Sequence, residues 1–230
     1  MGSNVKEGIY NVDMVFCIDA TGSMGNVIDM VKSNALNFYE DVKTAMERKE
    51  KFINQLRVRI IAYRDYRADG DMAMLTTGFF NLPDDNENFR KCVQSIVADG
   101  GGDEPEDGLE ALAYAIKSPW TTEGKKRRQV IVVWTDASTH ELGFGKGMPN
   151  YPNNMPGNLA ELSEWWGDMQ TSSDFIDRRA KRLVLFAPDK PGWSLISENW
   201  DNVIHYPSQA GGGLEEMDYG TILDTIVNTI

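Results

Sequence analysis

Apolar residues recur along this chain in two rhythms. The first is continuous. Val12–Ile18 (VDMVFCI) is apolar except at Asp13 and ends on Asp19, after which Ala20-Thr21-Gly22-Ser23 turns the chain. A short apolar run bounded by turn residues predicts a strand buried on both faces. Arg57–Tyr63 (RVRIIAY), Gln129–Thr135 (QVIVVWT), Arg182–Ala187 (RLVLFA) and Asn202–Tyr206 (NVIHY) follow the same pattern. Met72–Phe80 reads as one further strand. The turn formers of Arg64–Asp71 join it to Arg57–Tyr63, which predicts a hairpin with an antiparallel edge strand, and Asp65 is read as part of that turn.

The second rhythm is helical. Asn26 to about Glu50 places Val27, Met30, Val31, Leu36, Phe38, Val42 and Met46 on one face, predicting one long amphipathic helix. Further helices are predicted over Asp84–Val97, Leu109–Lys117, Leu159–Met169, Ser173–Lys181, Trp193–Trp200 and Leu214–Ile230. Gly143–Asn158 has Gly, Pro and Asn with little periodicity, and a loop that long is usually functional or mobile. Strands alternating with helices predict an α/β fold: a doubly wound, mostly parallel six-stranded sheet, one antiparallel edge strand, helices on both faces. At 230 residues one domain is expected over 1–230, with residues 1–8 a disordered or added N-terminal tail.

Charge narrows the partners. The 23 cations and 35 acids give a net charge of −12. Such a surface repels nucleic acid and anionic lipid, so neither is an expected partner, and it favours cations or basic proteins. Two cysteines do not make a disulfide framework and fit a reducing, cytoplasmic compartment. No apolar run approaches membrane-spanning length, and the N-terminus lacks a signal-peptide pattern.

The candidate chemistry sits where strands end. Asp19, Thr21 and Ser23 set three oxygen side chains at alternate positions after the first strand, Asp136 follows Gln129–Thr135, and Asp103-Glu104-Pro105-Glu106-Asp107 adds an acidic loop. Carboxylates gathered on one edge require a counter-ion or protonation. An all-oxygen set selects Mg²⁺, Ca²⁺ or Mn²⁺. Taken singly, Asp19 also suits a helix N-cap, and Thr21 and Ser23 also suit turn hydroxyls. His140 reads as an exposed loop histidine and His205 as part of the last strand.

At these residues the chain resembles the von Willebrand factor type A (VWA) family. Its metal-ion-dependent adhesion site carries D-x-[ST]-x-S after the first strand, matched by Asp19, Thr21 and Ser23, and an Asp after the fourth, matched by Asp136 in WTDAS. The family's Thr in a middle loop is replaced here by acid, aligned with Asp103, or alternatively Glu104. The resemblance implies a metal site of Asp19, Thr21, Ser23, Asp103 and Asp136, with Mg²⁺ the foremost cation and Ca²⁺ or Mn²⁺ the alternatives. It implies a non-enzymatic module whose protein partner presents Asp or Glu to the metal. AYRDY and GGGDEPEDGLEAL resemble the intracellular and bacterial branch, which includes alpha-kinase-associated type A domains. Two rival readings stand beside it. A Mg²⁺-dependent phosphotransfer enzyme of haloacid-dehalogenase type also begins with a strand ending in Asp, but needs a second Asp where this chain has Thr21. A scaffold with a purely structural metal would enclose its ion.

Overall fold

The computed structural model describes residues 8–102, 104–168, 170–212, 214 and 217–230; the expected tail at 1–7 and the candidate Asp103 lie outside them. In chain order the elements are β1 (Ile9–Asp19), α1 (Gly25–Asn34), α2 (Phe38–Glu47), β2 (Phe52–Tyr63), α3 (Tyr66–Asp69), β3 (Met74–Thr76), β4 (Phe80–Leu82), α4 (Asn86–Ser95), α5 (Gly108–Ile116), β5 (Arg127–Trp134), α6 (Leu159–Trp166), β6 (Lys181–Pro188), α7 (Trp193–Asn199), β7 (Val203–Ser208) and α8 (Tyr219–Thr229). The sheet runs β3-β2-β1-β5-β6-β7, with β4 also on β2. The pairs β1–β2, β1–β5, β5–β6 and β6–β7 are parallel, while β3 and β4 are antiparallel to β2.

The continuous strands take this form because both of their sides are covered. Val12, Met14, Phe16 and Ile18 of β1 pack with α1, α2, α4 and α8, whereas Val15 and Cys17 pack with α5, α6 and α7. The sheet has seven strands rather than six because the expected edge strand is two short pieces. Thr77 bridges the gap between them: its N–H donates to the Ile60 carbonyl, and its Oγ1 accepts from Ile60 N, both at 3.0 Å.

Two helical expectations give way to polar side chains that compete for the backbone. The long helix breaks between Asn34 and Phe38, where Asn34 Nδ2 donates back to the Met30 carbonyl and Leu36 projects into solvent. Ser173–Lys181 forms turns before β6 instead of a helix. There Ser173 Oγ accepts from the N–H groups of Phe175 and Ile176, and an Asp177 carboxyl oxygen accepts from Arg179 N.

Candidate functional site

Register brings the strand ends together. β1 and β5 are neighbours, paired through Ile18 and Trp134, so Asp19 and Asp136 leave adjacent strands on one edge. Asp19 is fully buried. Its Oδ1 accepts from Thr21 N at 2.9 Å and Thr21 Oγ1 at 2.6 Å, and its Oδ2 accepts from Thr135 Oγ1 at 2.6 Å. Thr21 Oγ1 and Ser23 Oγ stand 3.4 Å apart, and Ser23 Oγ donates to Asp136 Oδ1 at 2.9 Å. Asp19, Thr21, Ser23 and Asp136 therefore form one continuous file of oxygens, buried at Asp19 and exposed at Ser23. Burial, with a smaller contribution from the Asp136 charge, pushes the Asp19 carboxyl up to about 6 against the pull of its hydroxyl donors.

The glycine-rich loop closes over this file. Asp99 N donates to the Ala20 carbonyl at 3.0 Å. Gly101, at φ 97°, crosses so close that a Cβ would lie 2.5 Å from Thr21 Cγ2 and 2.7 Å from Glu106 Oε1. Only glycine fits that crossing. Glu104, the alternative to Asp103, accepts from Ser138 N at 2.8 Å; that bond heads the causes that hold its carboxyl low.

Two acids of the 103–107 loop not expected as ligands, and Glu110 beyond it, extend the site inward. Glu106 is buried, and its Oε2 has no hydrogen-bond partner among the described residues. Burial first, then Asp19, Asp65, Asp69 and Asp107, push it up to about 9. Asp107 accepts from Tyr66 N at 2.6 Å through one oxygen, and burial pushes it up to about 7. Glu110, buried inside α5, accepts from Gly143 N at 3.0 Å and from Tyr151 Oη at 2.8 Å. The long loop is thus fastened to α5. Arg67 adds a second tie, stacked 3.9 Å over the Phe144 ring and donating to its carbonyl. The only hint of this in the sequence was one Glu within the apolar run LEALAYAI.

One reading is corrected and another refined. His140 is not exposed: its ring stacks on Phe144 at 3.8 Å, its Nε2 lies 2.8 Å from Asp65 Oδ2, and its side chain is 10% exposed. Asp65 does lie in the connection between the antiparallel strands β2 and β3, but there it caps α3, accepting from Arg67 N and Ala68 N. Thr135 was also missed, although its position beside Asp136 was visible. Among the described residues no three His, Cys, Asp or Glu side chains form a ready cage for a metal. An ion at Asp19 would accordingly depend on the two hydroxyls as well as on carboxylates.

A mostly parallel sheet flanked by helices, with a file of oxygen side chains at the carboxyl ends of β1 and β5, defines a doubly wound α/β fold. The chain belongs to the von Willebrand factor A domain family, whose profile matches residues 13–144. It is 26% identical over 188 residues to "Alpha-protein kinase vwkA" of Dictyostelium discoideum, covering 75% of this chain and 28% of the kinase. The crystal structure of the pilus adhesin SpaC from Lactobacillus rhamnosus GG superposes with a TM-score of 0.51 at 13% identity, covering 98% of this chain and 31% of the adhesin. Its open conformation gives 0.51 at 12% identity, with 98% and 30% covered. Identities this low show the fold alone. The chain spans less than a third of the length of these relatives. Family membership points to a protein-interaction module. Among the described residues no helix is long and apolar enough to cross a membrane.

Proposed function

We propose that the chain is a single divalent-cation-dependent protein-interaction module of the intracellular branch of this family. Asp19, Thr21, Ser23 and Asp136 hold the ion, Asp103 of the acidic loop completes the set, and Mg²⁺ is the cation best suited to it. One observation carries the reading. Thr21 and Ser23 each donate their proton to a carboxylate, which leaves the hydroxyl lone pairs available to a cation. A hydroxyl that ligates brings no charge, so the ion keeps attraction for one more carboxylate. Ser23 is exposed, and a partner's Asp or Glu enters on that side.

The phosphotransfer reading is disfavoured because the position for a general acid is Thr21, whose proton is committed to Asp19. The enclosed-ion reading is disfavoured by the exposure of Ser23. An intracellular setting agrees with two free cysteines whose thiols burial pushes up, away from the reactive thiolate.

Calorimetric titration of Mg²⁺, Mn²⁺ and Ca²⁺ tests the proposal. Binding is expected in the parent protein and absent in Asp19→Ala. At about a hundredfold excess over Kd, the cation should add about 2.7 kcal/mol of stability to the parent only. Equal binding by the variant, or Mg²⁺-dependent phosphatase turnover lost in Asp19→Asn, would overturn it.

A further inference from the structure

A buried cation stands beside the oxygen file and takes no part in it. Arg64, in the AYRDY stretch that ends β2, is 7% exposed. Among the described residues no carboxylate lies within ion-pair distance of its guanidinium. Its three nitrogens donate instead to three backbone carbonyls: Nε to Ala20 at 3.0 Å, Nη1 to Met72 at 3.2 Å and Nη2 to Val97 at 2.7 Å. Its backbone is bound as well. Arg64 N donates to the Ala73 carbonyl at 2.8 Å, and the Arg64 carbonyl accepts from Asp107 N at 3.2 Å.

The partners come from four separate stretches around the rim. Ala20 lies between Asp19 and Thr21, and its carbonyl also accepts from Asp99 N. Met72 belongs to the β2–β3 connection, whose Asp69 accepts from Gly101 N at 3.0 Å. Val97 opens the segment that runs from α4 to Gly100–Gly102, the loop that crosses Thr21. Asp107 ends the acidic loop. A guanidinium sends its N–H groups out in fixed directions within one plane, so it can hold three carbonyls at set places; an ammonium cannot.

The bond to Ala20 reaches the oxygen file directly. The Ala20–Thr21 peptide is planar, so its carbonyl and its N–H point opposite ways. Arg64 and Asp99 hold the carbonyl, and the N–H is thereby aimed at Asp19 Oδ1, 2.9 Å away. The charge of Arg64 works against an entering cation, because like charges repel. Bonding and charge therefore predict opposite effects on cation affinity.

We infer that Arg64 is the positioning residue of the cation rim: its grip on three carbonyls holds Thr21 and the glycine loop in the arrangement that takes the ion. The inference rests on the cation reading above.

Calorimetric Mg²⁺ titration of Arg64→Gln and Arg64→Lys, on samples shown to be folded by circular dichroism, tests it. Both variants should bind at least about tenfold more weakly than the parent. If the charge alone mattered, Arg64→Gln would bind more tightly and Arg64→Lys would match the parent. If Arg64 served stability alone, both variants would melt earlier and bind with unchanged affinity. Either result would overturn the inference. Lys43→Gln on α2 should bind as the parent does, and an equal loss there would also overturn it. A parent that binds no cation would overturn the cation reading itself, and this inference with it. If neither variant folds, hydrogen exchange at Arg64 Nε in the parent replaces them. Saturating Mg²⁺ should slow that exchange at least about tenfold, and unchanged exchange would overturn the inference.

Discussion

Two carboxylates on one strand, six residues apart and both fully buried, have opposite surroundings. Asp13 faces a cation: Arg57 Nε and Nη2 donate to its two oxygens at 2.7 and 2.6 Å, and Thr121 N adds a bond at 2.6 Å. Asp19 receives hydroxyls and one backbone N–H, with the Asp136 carboxylate nearby. Burial alone thus does not mark a site. A buried acid with its counter-charge built in serves the fold as an anion, whereas one supplied only with neutral donors is left with a raised pKa, as at Asp19.

The largest effect that would break this contrast is at Asp13. Asp13→Asn leaves the half-buried Arg57 guanidinium without its anion and should cost about 3–5 kcal/mol in chemical denaturation. Asp19→Asn in EDTA should cost far less, or stabilise, since it removes a repelled charge. Comparable losses at both positions would erase the distinction.

A pH series sharpens it. Glu106 is raised from 4.5 to about 9, with Asp19 and Asp107 raised to about 6 and about 7. The folded state therefore holds protons that the unfolded chain has released. In EDTA, the stability these groups contribute should be fully present below about pH 3.8 and decline as pH rises towards about 9. Melting temperatures should follow that slope by several degrees, Glu106→Gln should flatten it, and Mg²⁺ should oppose it. A stability that climbs over this interval in EDTA would contradict the charge arrangement.

The smallest effect is at Glu110. Its carboxylate binds Gly143 N and Tyr151 Oη, a built-in use of a buried acid by neutral donors without a cation. Glu110→Gln should change global stability by about 1 kcal/mol or less, yet raise amide exchange across 143–151 roughly fivefold. Unaltered exchange there would show that Arg67 and Phe144 alone secure the loop.

These contrasts explain what could be read from the chain beforehand. β1, β2, β5 and β6 were legible because strands covered on both faces need unbroken apolar runs. Asp19, Thr21, Ser23 and Asp136 were legible as neighbours because a short motif and a strand end both fall on one edge. Glu106 was not. Its approach to Thr21 depends on the path of Gly100–Gly102, all at positive φ, which no periodicity encodes. The turns at 173–177 were missed because spacing counts apolar residues and overlooks Ser173 and Asp177 bonding to their own backbone. The Asp13–Arg57 pair spans two strands, and an isolated polar residue in an apolar run does not announce its counter-ion.

Because a Cβ on Gly101 would meet Thr21 at 2.5 Å and Glu106 at 2.7 Å, any side chain there would prise the loop off the end of β1. The tightness of the whole crossing hangs on one missing methyl group.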